Sequence, residues 1–194
     1  MDYENASAAR TTALTRRTVL GGTAMAGLAT IAGCLGDDGD VPEPIAIADD
    51  QACDNCTMAI GQHPGPVGQT HYEQAADVVG EDRPAQFCSS LCTYTHTFEQ
   101  DAEPQGIYLT DYSSVDWSVS TDDGELEISN HLERDAFAQA GELALVVDSE
   151  VLGSMGGSMI GFRDADDADD FQAEYGGDRY DHEDVTPELV MSLM

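Results

Sequence analysis

Lysine is missing from this chain: its seven basic residues are all arginine, and they face 38 acidic ones, for a net charge of −31. Such a shortage of positive charge argues against phosphate tracking, so nucleic acid and bare anionic headgroups are not expected as direct partners. Long hydrophobic runs are also lacking. The longest apolar stretch, Val19 to Gly33, falls short of the ~20 residues needed to cross a bilayer. Cysteine is scarce, at five residues in 194. Disorder throughout is nevertheless excluded, because 41% of the residues are hydrophobic.

The acid-rich, lysine-free composition resembles that of proteins from extremely halophilic archaea, where concentrated salt screens self-repulsion. Residues 1–33 read as a removable export signal. Thr15-Arg16-Arg17-Thr18-Val19-Leu20 resembles a twin-arginine motif, with Arg16 and Arg17 as its core. Ile31-Ala32-Gly33-Cys34 resembles a lipobox, which makes Cys34 the lipidated new N-terminus. The expected location is the outer face of the cell membrane, anchored through lipid on Cys34. Residues 34–50, with Gly39, Pro42 and Pro44 among acids, have linker composition. A domain is expected over 51–194.

Within that domain the patterning predicts short strands near 69–73, 85–87, 107–110, 126–129, 143–147 and 159–162. Helices are predicted over about 89–100, capped by Ser89 or Ser90, over about 166–175, and after Thr186-Pro187. Strands interrupted by single helices indicate an α+β fold. The stretches 85–100 and 158–175 share a strand–Phe–helix plan.

Four thiols remain for chemistry once Cys34 is set aside. Cys53-Asp54-Asn55-Cys56 is a C-x-x-C, with Met58 two residues on, and Cys88 and Cys92 are spaced i, i+4. On a helix the latter two share a face, and a helix N-terminus should lower the pKa of Cys88. Two close thiol pairs suit a structural zinc, a redox centre or a soft metal, and spacing alone does not decide. Thioethers point towards Cu(I), a soft ion that takes Cys and Met. Met155 and Met159 flank Gly156-Gly157-Ser158, with Met155 in the turn. Met159, Met191 and Met194 are first read as core fillers, Met159 being retained as a further candidate ligand. His63, His71 and His96 are candidate nitrogen ligands, although a lone His is more often a surface or satisfied side chain. Arg83, Arg134, Arg163 and Arg179 are expected to pair with neighbouring acids, and Asp164–Asp170 to form a solvated face.

Taken together these motifs resemble the NosL family of lipoproteins. Ala52–Met58 is similar to the family's C-x-x-C-G-M opening, His63-Pro64-Gly65-Pro66 to its P-G-P turn and Phe87-Cys88-Ser89 to its F-C-S step. Tyr108–Tyr112 with Trp117 resembles the central strand region, 147–156 the V-G-S…G-P-M-G segment and 162–177 the closing helix. The resemblance implies an α+β fold of two ββαβ-type units, and a non-enzymatic, exported Cu(I) carrier. Its recipient would be nitrous-oxide reductase or another exported copper enzyme. It implies a metal site drawn from Cys53, Cys56, Met58, Cys88 and Met155, to which spacing adds Cys92 as a candidate ligand. Thr57 stands where the family has Gly, Ser154 where it has Pro and Val67 where it has a basic residue, while Cys92 is an additional thiol. The competing readings are a four-cysteine, treble-clef-like zinc staple and an exported thiol–disulfide oxidoreductase. Against the latter, the C-x-x-C neither follows a strand nor opens a helix.

Overall fold

A computed structural model describes residues 41–194; Arg16, Arg17, Cys34 and the expected signal lie outside the described residues. In chain order the elements are β1 (Gly68–Tyr72), α1 (Ala75–Val79), β2 (Ala85–Phe87), α2 (Ser90–Glu99), β3 (Pro104–Thr110), β4 (Val119–Asp122), β5 (Glu125–Ile128) and β6 (Phe137–Gln139). They continue with β7 (Ala144–Val147), β8 (Val151–Leu152), β9 (Met159–Phe162), α3 (Ala165–Tyr175), β10 (Asp178–Asp181) and α4 (Pro187–Ser192).

Two ββαβ units emerge, as the resemblance implies. In the first, β1 lies between β2 and β3, antiparallel to both, and β6 extends the sheet to the order β2-β1-β3-β6. In the second, β7 lies between β9 and β10, again antiparallel to both. Each unit thus puts its first strand in the middle and passes from its second strand into a helix. The step itself repeats: Phe87 and Phe162 end their strands fully buried, and Ser89 and Asp164 then cap α2 and α3. The capping oxygens accept from the N–H groups of Cys92 and Asp166, satisfying donors the helix cannot. A third sheet, β4-β5-β8, is fed by the short β8 between β7 and β9.

The core falls into three clusters, one of them shared by both units. α2 and α4 enclose Leu91, Tyr94, Met159, Val190 and Leu193. α3 covers an aromatic group in which Phe162 and Phe171 lie 5.2 Å apart and Trp117 meets Phe171 edge-on at 5.7 Å. The third cluster gathers Ile60, Val67, Phe87, Tyr108 and Phe137 around Cys53, Cys88 and Cys92. On the far side of α3, Asp164, Asp166, Asp167, Asp169 and Asp170 are exposed, the solvated face expected.

The domain begins earlier than the expected linker boundary. The Gln69 side chain, buried in β1, accepts from the Ile45 N–H at 3.0 Å and donates to its carbonyl at 2.9 Å. Ile47 is buried and its N–H donates to the Leu132 carbonyl, while the Tyr108 hydroxyl donates to the Pro42 carbonyl. Residues 41–47 are therefore an integral strap, despite a proline-containing composition that reads as tether. The four described arginines all pair with acids, Arg83 with Asp54 and Glu81, Arg134 with Glu43, Arg163 with Asp111 and Glu142, and Arg179 with Asp169.

Candidate metal centre

The C-x-x-C loop closes on itself. The Cys53 N–H donates to the Met58 carbonyl at 2.8 Å and the Thr57 N–H to the Cys53 carbonyl at 2.9 Å. Closure demands a left-handed residue at 57, and Thr57 adopts φ 67° there. The loop of the family pattern is thus retained although its glycine is not, at the cost of strain in a β-branched residue. Thr57→Gly should relieve that strain. After allowing for the greater freedom of glycine in the unfolded chain, a gain of about 0.5–1 kcal/mol is expected. Thermal melts in molar salt measure it, and an unchanged midpoint would show the strain to be negligible.

Asp54, inside the loop, ties it to the rest of the protein. Its carboxylate accepts from Arg83 Nη1 at 2.7 Å and Nη2 at 2.9 Å, a bidentate fork. It also accepts from the Gln86 N–H at 2.7 Å, while its own N–H donates to the Gln86 carbonyl. The C-x-x-C is thereby stitched to β2, one residue short of the strand's end and two short of Cys88. Neither Asp54 nor Arg83 was singled out by sequence as part of this site. The available signal was an acid within the C-x-x-C and an arginine just before β2.

The result is a four-thiol group. The Sγ atoms of Cys53, Cys56, Cys88 and Cys92 all lie within 4.8 Å of one another. Cys56 and Cys88 are 3.4 Å apart, and Cys88 and Cys92 are 3.8 Å apart. Around a tetrahedral ion with metal–sulfur bonds of about 2.3 Å the sulfur–sulfur edge is about 3.8 Å, so small side-chain adjustments suffice to hold one. Cys53, Cys88 and Cys92 are buried and Cys56 is half-buried, which makes Cys56 the most accessible of the four.

Cys88 lies one residue before the cap of α2, not within the helix as its spacing to Cys92 suggests. Its acidity runs opposite to the helix-end expectation. The Cys53 thiol is driven far below its usual range because the Cys88 and then the Cys92 S–H groups donate to it, outweighing its burial. As donors, and buried, Cys88 is held well above the thiol range and Cys92 is pushed up to about 12. Cys53 is thus favoured as the thiolate over Cys88 and Cys92. A cation that engages the others displaces their protons, so binding strengthens with pH.

A second turn abuts the thiols. Gly153 and Gly156 exchange N–H···O bonds of 2.8 and 3.1 Å, leaving Met155 exposed at the tip. The Ser154 hydroxyl donates to the Cys88 carbonyl at 2.6 Å, so the residue that replaces the family's Pro fastens this turn to the cluster. A Cβ on Gly153 would lie 2.7 Å from the Gly65 carbonyl, which packs the Pro-Gly-Pro turn against the same place. Met58 is half-buried, and its carbonyl closes the C-x-x-C loop.

The remaining candidates lie elsewhere among the described residues. Met159 is fully buried in the apolar cluster between α2 and α4. His96 is buried with its ring 5.0 Å from Phe87 and its Nδ1 3.5 Å from the Tyr72 hydroxyl. His71 lies edge-on to Tyr108 at 5.6 Å, and burial lowers its pKa and that of His96. His63 is half-buried in the Pro-Gly-Pro turn, where its carbonyl accepts from Asn130. None of the three belongs to the four-thiol group.

Comparison with known proteins gives two findings. A family model described as NosL matches residues 44–190. Among solved structures, the crystal structure of the copper chaperone NosL from Shewanella denitrificans matches with a TM-score of 0.58 at 23% identity, covering 76% of this chain and 99% of that one. That likeness establishes a shared fold. No curated protein matches.

Proposed function

Because the chain belongs to the NosL family, we propose that its four-thiol group binds Cu(I) and that the protein is a non-enzymatic copper carrier. The observation that carries this reading is the convergence of four free thiols within 4.8 Å, three of them buried, in an apolar cluster bordered by the Met155 turn. Sulfur ligands favour a soft monovalent ion over the hard cations of a saline medium. The fold shared with the copper chaperone NosL from Shewanella denitrificans supports the same cargo.

The thiols divide between the two halves of a transfer. Cys53, Cys88 and Cys92 hold the ion out of water, while half-buried Cys56 is where an incoming ligand can reach it. Delivery is then an exchange of one thiolate for a ligand of the recipient, without change of oxidation state. The recipient we propose is nitrous-oxide reductase or another exported copper enzyme. Arg16-Arg17 and the Ile31–Cys34 segment support export by the twin-arginine route and a lipid anchor at Cys34.

A second reading has a specific observation in its favour. Sulfur separations of 3.4 and 3.8 Å, with three thiols buried, also describe a structural zinc staple. Competition decides between them. The protein, reduced and in molar KCl, is expected to bind one Cu(I) and to release zinc stoichiometrically as Cu(I) is added from a chelator. Zinc that stays bound while the chelator keeps its copper would establish the staple instead.

A further inference from the structure

The four thiols come from two separate segments, the loop that carries Cys53 and Cys56 and the β2–α2 segment that carries Cys88 and Cys92. Their convergence needs a tie between the two. Exposed methionines do not supply it: Met191 and Met194, expected as core fillers, are 64% and 69% exposed on α4 and just beyond it. The tie lies at the edge of a sheet.

β2 is the edge strand of its sheet. At Gln86, in its middle, both backbone groups go to Asp54: the N–H donates to Asp54 Oδ2 at 2.7 Å and the carbonyl accepts from the Asp54 N–H at 2.9 Å. Asp54 thus completes the edge as a strand of a single residue would, with a carboxylate oxygen in place of a backbone carbonyl. Gln86 is buried, so without Asp54 two backbone groups would lack a partner where water does not replace it.

Arg83 fixes the carboxylate in turn. Its Nη1 and Nη2 take the two oxygens, while its Nε donates to Glu81 and Nη1 also to the Pro84 carbonyl. The segment leading into β2 therefore holds the guanidinium in one plane, and the Arg83 and Asp54 side chains are only 19% and 14% exposed. Both carboxylate oxygens are engaged, and as hard donors they suit a soft ion poorly. Asp54 is therefore no ligand, and any effect it has on the metal passes through the sulfurs.

We propose that Asp54 is a positioning residue for metal binding, with Arg83 as its support: the pair fixes Cys53 and Cys56 against Cys88 and Cys92, so that an incoming ion meets a formed site. Preorganisation of this kind raises affinity, since the loop need not be ordered as the ion binds. Lysine in place of Arg83 would keep the charge but not the planar fork. The proposal rests on the thiols being the metal site of the carrier reading, though not on the ion being Cu(I).

The test uses Co(II) as a probe, with the protein reduced and in molar KCl, because thiolate-to-cobalt charge-transfer bands report how many sulfurs bind and in what symmetry. Asp54→Ala is expected to weaken cobalt binding about 10- to 100-fold and to lower the charge-transfer intensity of each bound ion. Arg83→Lys should move both in the same direction, by less. Asp169→Ala, which breaks the ion pair with Arg179 in the second unit, should leave affinity and spectrum as in the parent. A general loss of stability would change the melting midpoint but not the spectrum of the bound ion. A folded Asp54→Ala protein with the parent's affinity and bands would overturn the positioning role. Should that variant fail to fold, parental values in Arg83→Lys would overturn it instead. Cobalt binding weakened in this way in a protein that keeps zinc against Cu(I) would uphold it and overturn only the carrier reading.

Discussion

Replacing Cys88 by alanine is expected to weaken Cu(I) binding at least about a thousandfold, close to 4 kcal/mol, while leaving the metal-free fold nearly intact. Cys88 lies between two other sulfurs, Cys56 at 3.4 Å and Cys92 at 3.8 Å. Its removal therefore takes away the ligand that links Cys56 to Cys92. Alanine suits the test better than serine, because a serine hydroxyl in this fully buried apolar position would bring its own desolvation penalty. Chelator competition, paired with thermal melts of the metal-free protein, separates the two effects. Copper affinity equal to that of the parent would remove Cys88 from the site.

Met159→Ala should have the reverse profile. Met159 is fully buried in β9 among Leu91, Tyr94 and Leu145, and truncation there leaves a cavity costing about 2–5 kcal/mol. Copper affinity should hardly change in the fraction that remains folded. The outcome that contradicts this is a large loss of affinity with an unmoved melting midpoint, which would make Met159 a ligand and not packing.

Much of this could be read from residue order. The helix after β2 is announced by Ser89, the apolar strand 159–162 by its composition, and α3 by acids at the end where the helix dipole favours them. β10 was illegible for a physical reason: Asp178-Arg179-Tyr180-Asp181 has no apolar alternation and is a strand only because β7 presents it an unpaired edge. β4, mostly exposed, owes its pairing likewise to its neighbour β5. The strap at 41–47 was hidden because its partner, the Gln69 amide, lies 24 residues beyond Ile45. In the site, the two thiol pairs were evident from spacing. Their order of ionisation was not, since it depends on which S–H points at which sulfur. The Asp54–Arg83 fork was equally out of reach, being a contact across 29 residues.

The repeated step from strand to helix carries its own reference state. Where the first unit places Cys88 between a buried Phe and a helix cap, the second places Arg163. The Arg163 N–H donates to the buried Asp111 carboxylate at 3.0 Å, and its guanidinium lies 3.6 Å from the same group. One backbone step thus serves two ends, the first drawn together around sulfur and the second around a buried Asp111 carboxylate paired with an exposed arginine. The framework and the cargo chemistry are separable inheritances. A descendant stripped of its thiols would keep this silhouette, so shape alone will recognise relatives that no longer carry anything.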